Sequence, residues 1–170
     1  EGLQPHGVYV VYGNGGGQVP KCLGHLTVNW VKQKELLGTG HAVAQAIPGI
    51  KQDESRVLIL LGDTPLVSLA TLQKLIHATE THQIGLITLT TQQPFGLGRI
   101  LRDQQGKIIQ IVEEKDANVE QKKIQEVNSG IFYVPVKLLK RWLPKIKKIN
   151  AQGEYYLTDI IIMAVDEKIE

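Results

Sequence analysis

Residues 56–61 (RVLILL) are the most continuously apolar segment of the chain, and Gly62 and Asp63 follow them directly. A short run that is apolar on both faces is typical of a strand in the middle of a parallel sheet, with helices covering both sides. The run is far shorter than the roughly 20 apolar residues that cross a bilayer. We therefore expect a central sheet enclosed between helices, with no membrane segment.

Strand and helix patterns alternate along the rest of the chain. Strands are predicted at residues 7–12, 27–33, 84–90 and 130–134, helices at residues 40–46, 68–77, 136–146 and 155–167, and a glycine turn at residues 13–17. Residues 98–102 and 107–113 flank Gln104, Gln105 and Gly106, which predicts an antiparallel β-hairpin. The alternation predicts an α/β fold with a mainly parallel sheet and helices on both faces.

Composition limits the function classes open to the protein. The 170 residues, 42% of them apolar, are enough for one domain with a sizeable core. A net charge of +2 with scattered basic residues argues against nucleic-acid binding. The single cysteine, Cys22, cannot form an internal disulfide, which fits a reducing compartment. We expect a cytoplasmic protein that does not bind polyanions.

Ligands of open α/β sheets bind beyond the carboxyl ends of the strands, so residues that follow each strand are candidates for the site. Asp63 follows the most apolar strand after a single glycine, where its carboxylate could hold a hard cation such as Mg²⁺. The alternative is that Asp63 only caps the turn before Pro65. Residues 128–130 (NSG) are expected in the same way to follow a later strand.

Two glycine-rich segments are further candidates. Residues 38–41 (GTGH) open a predicted helix, where glycines let a ligand approach backbone N–H groups. Residues 96–99 (GLGR) join a strand to the hairpin, where glycine permits a tight bend or makes room for a ligand. Neither segment matches a GxxxxGK[ST] phosphate loop or a GxGxxG fingerprint, and an ordinary glycine turn explains each of them equally.

Other catalytic chemistries find little support in the sequence. The five histidines lack metal-ligand spacing, and no GxSxG nucleophile elbow is present. The carboxylates of residues 113–116 (EEKD) are most simply a charged turn after a strand, so a glycosidase pair is not indicated. Zinc-dependent hydrolysis and acyl transfer are disfavoured as well.

Six segments, taken together and in order, resemble the uridylyltransferase (pyrophosphorylase) domain of the bacterial bifunctional UDP-N-acetylglucosamine pyrophosphorylase and glucosamine-1-phosphate N-acetyltransferase. The similarity covers nearly the whole chain and is weakest at residues 17–26. The segments are Gln33 with residues 37–42 (LGTGHA), then residues 61–66 (LGDTPL), 96–100 (GLGRI), 111–117 (IVEEKDA), 124–130 (IQEVNSG) and 150–159 (NAQGEYYLTD).

The resemblance implies a Rossmann-like nucleotide-diphospho-sugar transferase fold. It also implies an Mg²⁺-dependent transfer of UMP from UTP to N-acetylglucosamine 1-phosphate, which gives UDP-N-acetylglucosamine and pyrophosphate for cell-wall precursor and lipopolysaccharide synthesis. In this family the residue at Asp63 is the metal ligand and catalytic residue, the residue at Gln33 recognises uracil, and those at Gly38 and Thr39 contact the nucleotide. The sugar site would comprise Gly98, Glu113, Asn128, Tyr156 and Thr158, with Leu61 and Gly62 beside Asp63.

The sequence departs from the family pattern at two site positions. Leu61 stands where the family usually has Tyr, and Ser129 stands where it usually has Thr, so specificity could differ. Another sugar-nucleotide nucleotidyltransferase and a non-catalytic nucleotide-sugar-binding module remain alternatives.

The resemblance also implies functional segments outside the 170 residues. A first strand with a glycine-rich phosphate loop is expected before Glu1. A second metal-binding residue and a β-helix acetyltransferase domain, which would make the complete protein a homotrimer, are expected after Glu170. On this interpretation the chain is one partial nucleotidyltransferase domain, and we expect it to be inactive by itself.

Overall fold

The computed structural model describes residues 2–13, 17–53 and 55–169. The helices and strands are, in chain order, β1 (Tyr9–Tyr12), α1 (Gln18–Leu23), β2 (Asn29–Lys32), α2 (Thr39–Ala46), β3 (Arg56–Ile59), α3 (Leu69–Ala78), β4 (Gly85–Thr90), β5 (Arg99–Arg102), β6 (Ile108–Val112), α4 (Val119–Lys122), β7 (Glu126–Pro135), α5 (Val136–Trp142) and α6 (Asp159–Asp166). Short 3₁₀ turns, Ile47–Gly49 and Leu143–Lys145, follow α2 and α5. None of these helices is long and apolar enough to cross a membrane.

The strands form two sheets. β1 and β2 pair in parallel, with Tyr9 opposite Asn29, while the other five strands form a second sheet around β7. β7 is antiparallel to β3, β4 and β5, and β5 is antiparallel to β6. The predicted hairpin at residues 98–113 is therefore confirmed.

The prediction of a mainly parallel sheet is wrong in its strand pairing. Within the described part of the chain one strand pair is parallel and four are antiparallel. The reason is that β7 runs opposite to both β3 and β4 and hydrogen-bonds to each of them. β3 and β4 consequently point the same way, as in a parallel α/β sheet, without pairing directly.

Helices cover both faces of the larger sheet, as the sequence predicts. Successive side chains of a strand point to opposite faces. Phe132 and Val134 of β7 accordingly pack into a core with α5 and α6, while Ile131 packs on the other face against Leu72 and Leu75 of α3. β3 and β4 contribute partly buried side chains to both cores.

Most predicted elements form within a few residues of their expected ends. Ser68 caps α3 as expected, because its side chain accepts a 3.1 Å hydrogen bond from the Thr71 amide. The predicted glycine turn at residues 13–17 has its centre, residues 14–16, outside the described residues. Two short helices, α1 and α4, are not predicted from the sequence.

The last helix begins at Asp159, four residues later than the sequence suggests. Tyr155 is not helical because its amide donates a 2.8 Å hydrogen bond to Leu37 O and its carbonyl accepts a 2.8 Å bond from the Gly40 amide. These long-range bonds hold the segment before α6 extended against the start of α2. They bring Tyr156 and Thr158 next to the predicted nucleotide-binding residues.

Candidate active site

A pocket at the end of β2 contains the predicted base-recognition residues. Gln33 is buried, and its Nε2 donates hydrogen bonds to Gly38 O (3.2 Å) and His41 Nδ1 (3.0 Å). The surrounding cavity measures about 270 Å³ and is lined by Gln33, Leu36, Gly38, Thr39, Ala42 and Glu154. The structure thus brings Gln33, Gly38 and Thr39 together.

The glycine at position 38 is required by both conformation and space. Its φ of 107° lies in the left-handed region, and a Cβ there would come within 2.7 Å of Tyr155 O. The Gly40 amide, one of the N–H groups considered for a ligand, is bonded to Tyr155 O at 2.8 Å, as the ordinary glycine turn would have it. Thr39 Oγ1 accepts a 3.0 Å bond from the Leu157 amide, so α2 is tied directly to the segment that carries Tyr156 and Thr158.

The predicted sugar-binding residues form a continuous set of contacts around Glu113. Thr158 donates from Oγ1 to Glu113 Oε1 at 3.0 Å. A Cβ on Gly98 would lie 3.2 Å from Glu113 Oε2 and 2.9 Å from Ile111, so only glycine leaves room for the carboxylate. The Asn128 amide donates to Gly98 O at 2.8 Å, which places Asn128 on the other side of this glycine.

The two glycines of residues 96–99 have different structural roles, and the first is the tight bend considered for this segment. Gly96 adopts a φ of 77° with nothing near its missing Cβ, so it serves the bend. Gly98 instead makes room for a neighbouring side chain. The expected charged turn also forms, because the Asp116 amide donates to Glu113 O at 2.9 Å. Glu113 therefore has a backbone role in the turn and a side chain that faces the site.

Asn128 lies inside a strand, whereas the sequence suggests a position after one. β7 extends from Glu126, and its register with β4 shifts between Leu86 and Thr88. Gly130 has a φ of 77° at this bulge, and its amide donates to Asn128 Oδ1 at 2.8 Å. Bulges distort a strand locally, and this one lies next to Asn128, whose backbone amide bonds to Gly98 O.

The electrostatics around Glu113 favour its neutral form. Burial raises the pKa of Glu113, the hydrogen bond from Thr158 lowers it, and the nearby Asp116 carboxylate raises it. Burial also raises the pKa of Tyr156. Gln152 lowers this pKa, and the carboxylates of Asp116 and Glu113 raise it further. The Tyr156 hydroxyl is buried beside Gln152 and Asp116 and has no partner at full hydrogen-bond geometry within the described residues. A ligand hydroxyl could supply the missing partner.

Leu61, Gly62 and Asp63 leave the end of β3 as a turn. The Leu61 side chain covers Gly130, where a Cβ would meet its Cδ1 at 2.3 Å. Asp63 is exposed, and its carboxylate has no hydrogen bond or ion pair within the described residues. The turn before Pro65 is closed by Thr64, whose Oγ1 donates to Leu61 O at 3.0 Å. Asp63 therefore does not cap this turn, and its carboxylate is free.

A free, exposed carboxylate offers one oxygen ligand to a hard cation such as Mg²⁺. Mg²⁺ is usually held by one or two carboxylates, with substrate phosphates and water completing an octahedron. No cluster of three or more His, Cys, Asp or Glu side chains that could hold a metal occurs in residues 2–13, 17–53 and 55–169. Asp63 fits as a single protein ligand of a metal that arrives with a nucleotide.

Comparison with known proteins identifies the family. Residues 1–164 match the model of the MobA-like NTP transferase domain. The chain belongs to this family. It is 50% identical over 165 residues to the bifunctional protein GlmU of Coxiella burnetii, and 50% identical over 163 residues to GlmU of Pseudomonas putida. These matches cover 97% and 96% of this chain but 36% and 35% of the relatives, so the chain spans about a third of their length.

Solved structures show the same fold. A UDP-glucose pyrophosphorylase complexed with UDP-glucose superposes with a TM-score of 0.68 over 94% of this chain and 69% of that one, at 14% identity. A putative glucose-1-phosphate thymidylyltransferase from Bacillus anthracis superposes with a TM-score of 0.70 over 95% of this chain and 64% of that one, at 18% identity. The nucleotide-diphospho-sugar transferase fold predicted from the motifs is thereby confirmed, as is the resemblance to the bifunctional bacterial enzyme.

One departure of this chain from the expected pattern, Ser129 in place of threonine, preserves the structural contact. The Ser129 hydroxyl donates to Ile87 O at 2.6 Å and accepts from the Ile131 amide at 3.2 Å. It therefore joins β4 to β7 across the bulge. Threonine carries the same hydroxyl, so exchanging the two preserves the contact.

Sequence reasoning assigned no role to two side chains that support the candidate site. Arg99 is 1% exposed, and its guanidinium contacts Glu114 Oε2 at 2.6 Å and also donates to Leu97 O. It thereby fastens the Gly98 loop beside Glu113. His41, bonded to Gln33, is the other. For Arg99, the sequence did offer a signal, since its charge is opposite to that of Glu114 on the facing segment of the hairpin.

Proposed function

We propose that this chain belongs to an enzyme that transfers UMP from UTP to N-acetylglucosamine 1-phosphate and releases pyrophosphate. The main support is the contact set around Glu113, in which Gly98, Asn128 and Thr158 meet beside the Gln33 pocket. The 50% identity of this chain over 165 residues to GlmU of Coxiella burnetii also supports the substrate assignment.

In the proposed reaction a phosphate oxygen of the sugar phosphate attacks the α-phosphorus of UTP. A P–O bond forms there, the bond to the β-phosphate bridging oxygen breaks, and pyrophosphate leaves with that electron pair. The nucleophile is already an anion, so no protein base is required. Catalysis then depends on positioning the two substrates and on offsetting charge.

Two groups of residues would position the two substrates, one at each end of the site. Gln33, Gly38 and Thr39 would hold the uridine end. Glu113 and Asn128 can accept from and donate to sugar hydroxyl and acetamido groups, since one offers carboxylate oxygens and the other an amide.

Asp63 would hold Mg²⁺ where the chain leaves β3. When bound, this ion offsets the charge of phosphate oxygens as pyrophosphate departs. The protein's own contribution is an exposed carboxylate with no competing partner, at the strand end next to Leu61 and Gly62.

We further propose that the complete protein is a cytoplasmic enzyme of cell-wall precursor and lipopolysaccharide synthesis. The relatives are named as bifunctional, and this chain spans 36% of their length. We accordingly propose that the rest of the complete protein carries a second, acyltransferase activity and forms a homotrimer.

The test is a pyrophosphate-release assay on the complete protein that contains these residues. UTP is paired with N-acetylglucosamine 1-phosphate, then replaced by CTP, GTP or dTTP, and the sugar is replaced by glucose 1-phosphate. We expect turnover only with the first pair and only with Mg²⁺. A preference for another pair would assign a different sugar-nucleotide transferase, and binding without turnover would assign a non-catalytic module.

A further inference from the structure

Two glutamine amides face the two nitrogens of one imidazole beside the Gln33 pocket. Gln33 Nε2 lies 3.0 Å from His41 Nδ1, and Gln45 Nε2 lies 3.1 Å from His41 Nε2. An amide nitrogen can only donate, whereas a neutral imidazole accepts at one nitrogen and donates at the other. His41 can therefore accept from only one of the two glutamines, and the other amide must turn over.

The surroundings decide which glutamine keeps its orientation. Gln33 is buried, and its Nε2 has a second acceptor in Gly38 O at 3.2 Å. Gln45 is half-buried, and its second acceptor, His41 O, lies at 3.4 Å. If the Gln33 amide turned over, its Oε1 would lie against Gly38 O, and two acceptors would face each other in a buried site. The Gln45 amide is half-buried and can turn over in contact with water. The bond from Gln33 to His41 Nδ1 is thus the stronger of the two.

The imidazole itself is held in place. Its ring stacks on Tyr155 with the ring centroids 6.1 Å apart and the planes inclined by 28°. Tyr155 also bonds through its backbone to Leu37 and Gly40, on both sides of Gly38. The ring nitrogen that meets Gln33 is therefore fixed by the same segment that shapes the pocket.

We propose that His41 is a positioning residue for base selectivity: its Nδ1 accepts from Gln33, which leaves only Oε1 of Gln33 for the ligand. Both Nε2 hydrogens of Gln33 are then used, one by Gly38 O and one by His41. Oε1 makes no hydrogen bond within the described residues. The inference rests on the proposed function, in that the Gln33 pocket receives the base.

An acceptor at this point selects a class of base. Uracil and thymine carry a ring N–H between two carbonyls, and this N–H can donate to Gln33 Oε1. Cytosine has an unprotonated ring nitrogen at the same place. Its lone pair would face the lone pairs of Gln33 Oε1, which is repulsive. His41 thus favours pyrimidines with an imide N–H without touching the base.

The experiment measures UDP and CDP binding by calorimetry in the complete protein and in His41 variants. His41→Leu removes the acceptor, and we expect the UDP-to-CDP affinity ratio to fall by about tenfold, the scale of one hydrogen bond. His41→Asn keeps an acceptor oxygen near the Nδ1 position and should restore most of the ratio. Gln45→Leu, which removes the competing donor without adding a charge, should leave the ratio unchanged or higher.

A second measurement reads the imidazole directly. In ¹⁵N NMR of histidine-labelled wild-type protein, with the His41 signals assigned by their loss in His41→Asn, we expect the proton on Nε2 and none on Nδ1. A proton on Nδ1, or an unchanged affinity ratio in a folded His41→Leu protein, would overturn the role of His41. If wild-type protein binds neither UDP nor CDP, the proposed function fails as well.

Discussion

Thr158 donates a 3.0 Å hydrogen bond to Glu113, and this bond joins the segment before α6 to the end of β6. Thr158 is 5% exposed, so the bond is shielded from water. It is also the contact that lowers the pKa of Glu113 against the effect of burial. The sugar-binding carboxylate of the proposed enzyme therefore depends on a residue 45 positions away.

Thr158→Val should weaken binding of the sugar phosphate about tenfold, because a partly buried carboxylate loses its partner at a cost of roughly 1–3 kcal/mol. Removing the hydrogen bond also raises the pKa of Glu113 further. If the sugar requires the ionised carboxylate, its binding should shift to higher pH. KM for N-acetylglucosamine 1-phosphate as a function of pH checks both effects. Thr158→Ser, which keeps the hydroxyl, is the control, and equal KM profiles for both variants would contradict the prediction.

Asp63→Ala should lower Mg²⁺-dependent turnover by a hundredfold or more. Losing one group that stabilises charge in the transition state typically costs about 3 kcal/mol. Stability should change by less than about 0.5 kcal/mol, because the side chain is exposed and unpaired. Pyrophosphate release and thermal unfolding are the measurements. Glu80→Ala removes another exposed carboxylate and should leave turnover intact. Normal turnover in Asp63→Ala would end the metal assignment.

Gln33→Ala should weaken UTP and UDP-sugar binding by about 1–3 kcal/mol, since the base would lose a buried hydrogen-bonding partner. Calorimetry with UDP measures this loss. Lys34→Ala, at the exposed neighbouring position, provides the matched control and should bind as wild type does. An affinity equal to wild type in Gln33→Ala would remove Gln33 from the site.

Gly130→Ala should destabilise the protein more than Gly106→Ala does. Both glycines have positive φ, 77° and 81°, but only the Cβ at Gly130 would overlap a side chain, that of Leu61. The φ strain costs about 1–2 kcal/mol at either site, and the overlap adds roughly 1–3 kcal/mol at Gly130. Urea unfolding measures the difference. Adding Leu61→Ala should recover the overlap part alone, and equal losses for the two single variants would disprove the contact.

Asp159→Asn should stabilise the protein at pH 8 but not at pH 4. Burial raises the pKa of Asp159, and the carboxylates of Glu113 and Asp116 raise it further. A carboxyl with a raised pKa stabilises the fold while protonated and loses that contribution as pH rises through the folded pKa. Asparagine mimics the neutral form, so the difference in Tm should grow with pH. Asp166→Asn, exposed at the end of the same helix, should show no such trend.

Local patterning in the sequence was sufficient for several features. The apolar run of β3, the Ser68 cap and the β5–β6 hairpin depend on residues close together in the chain, so their period and turn chemistry predict them. The motifs also identified the fold family and the residues that surround Glu113. These motifs are short, and each one lies at the end of a strand or helix.

Only the tertiary structure decided how these pieces meet. The direction of β7, the bulge beside Asn128, and the extended segment at Tyr155 each depend on hydrogen bonds to distant parts of the chain. The same is true of the bonds from Thr158 to Glu113 and from Arg99 to Glu114. A local pattern records which face of an element is apolar, but not which partner covers it. The candidate site residues can therefore be identified one at a time from the sequence. Only the packing of distant segments brings them together.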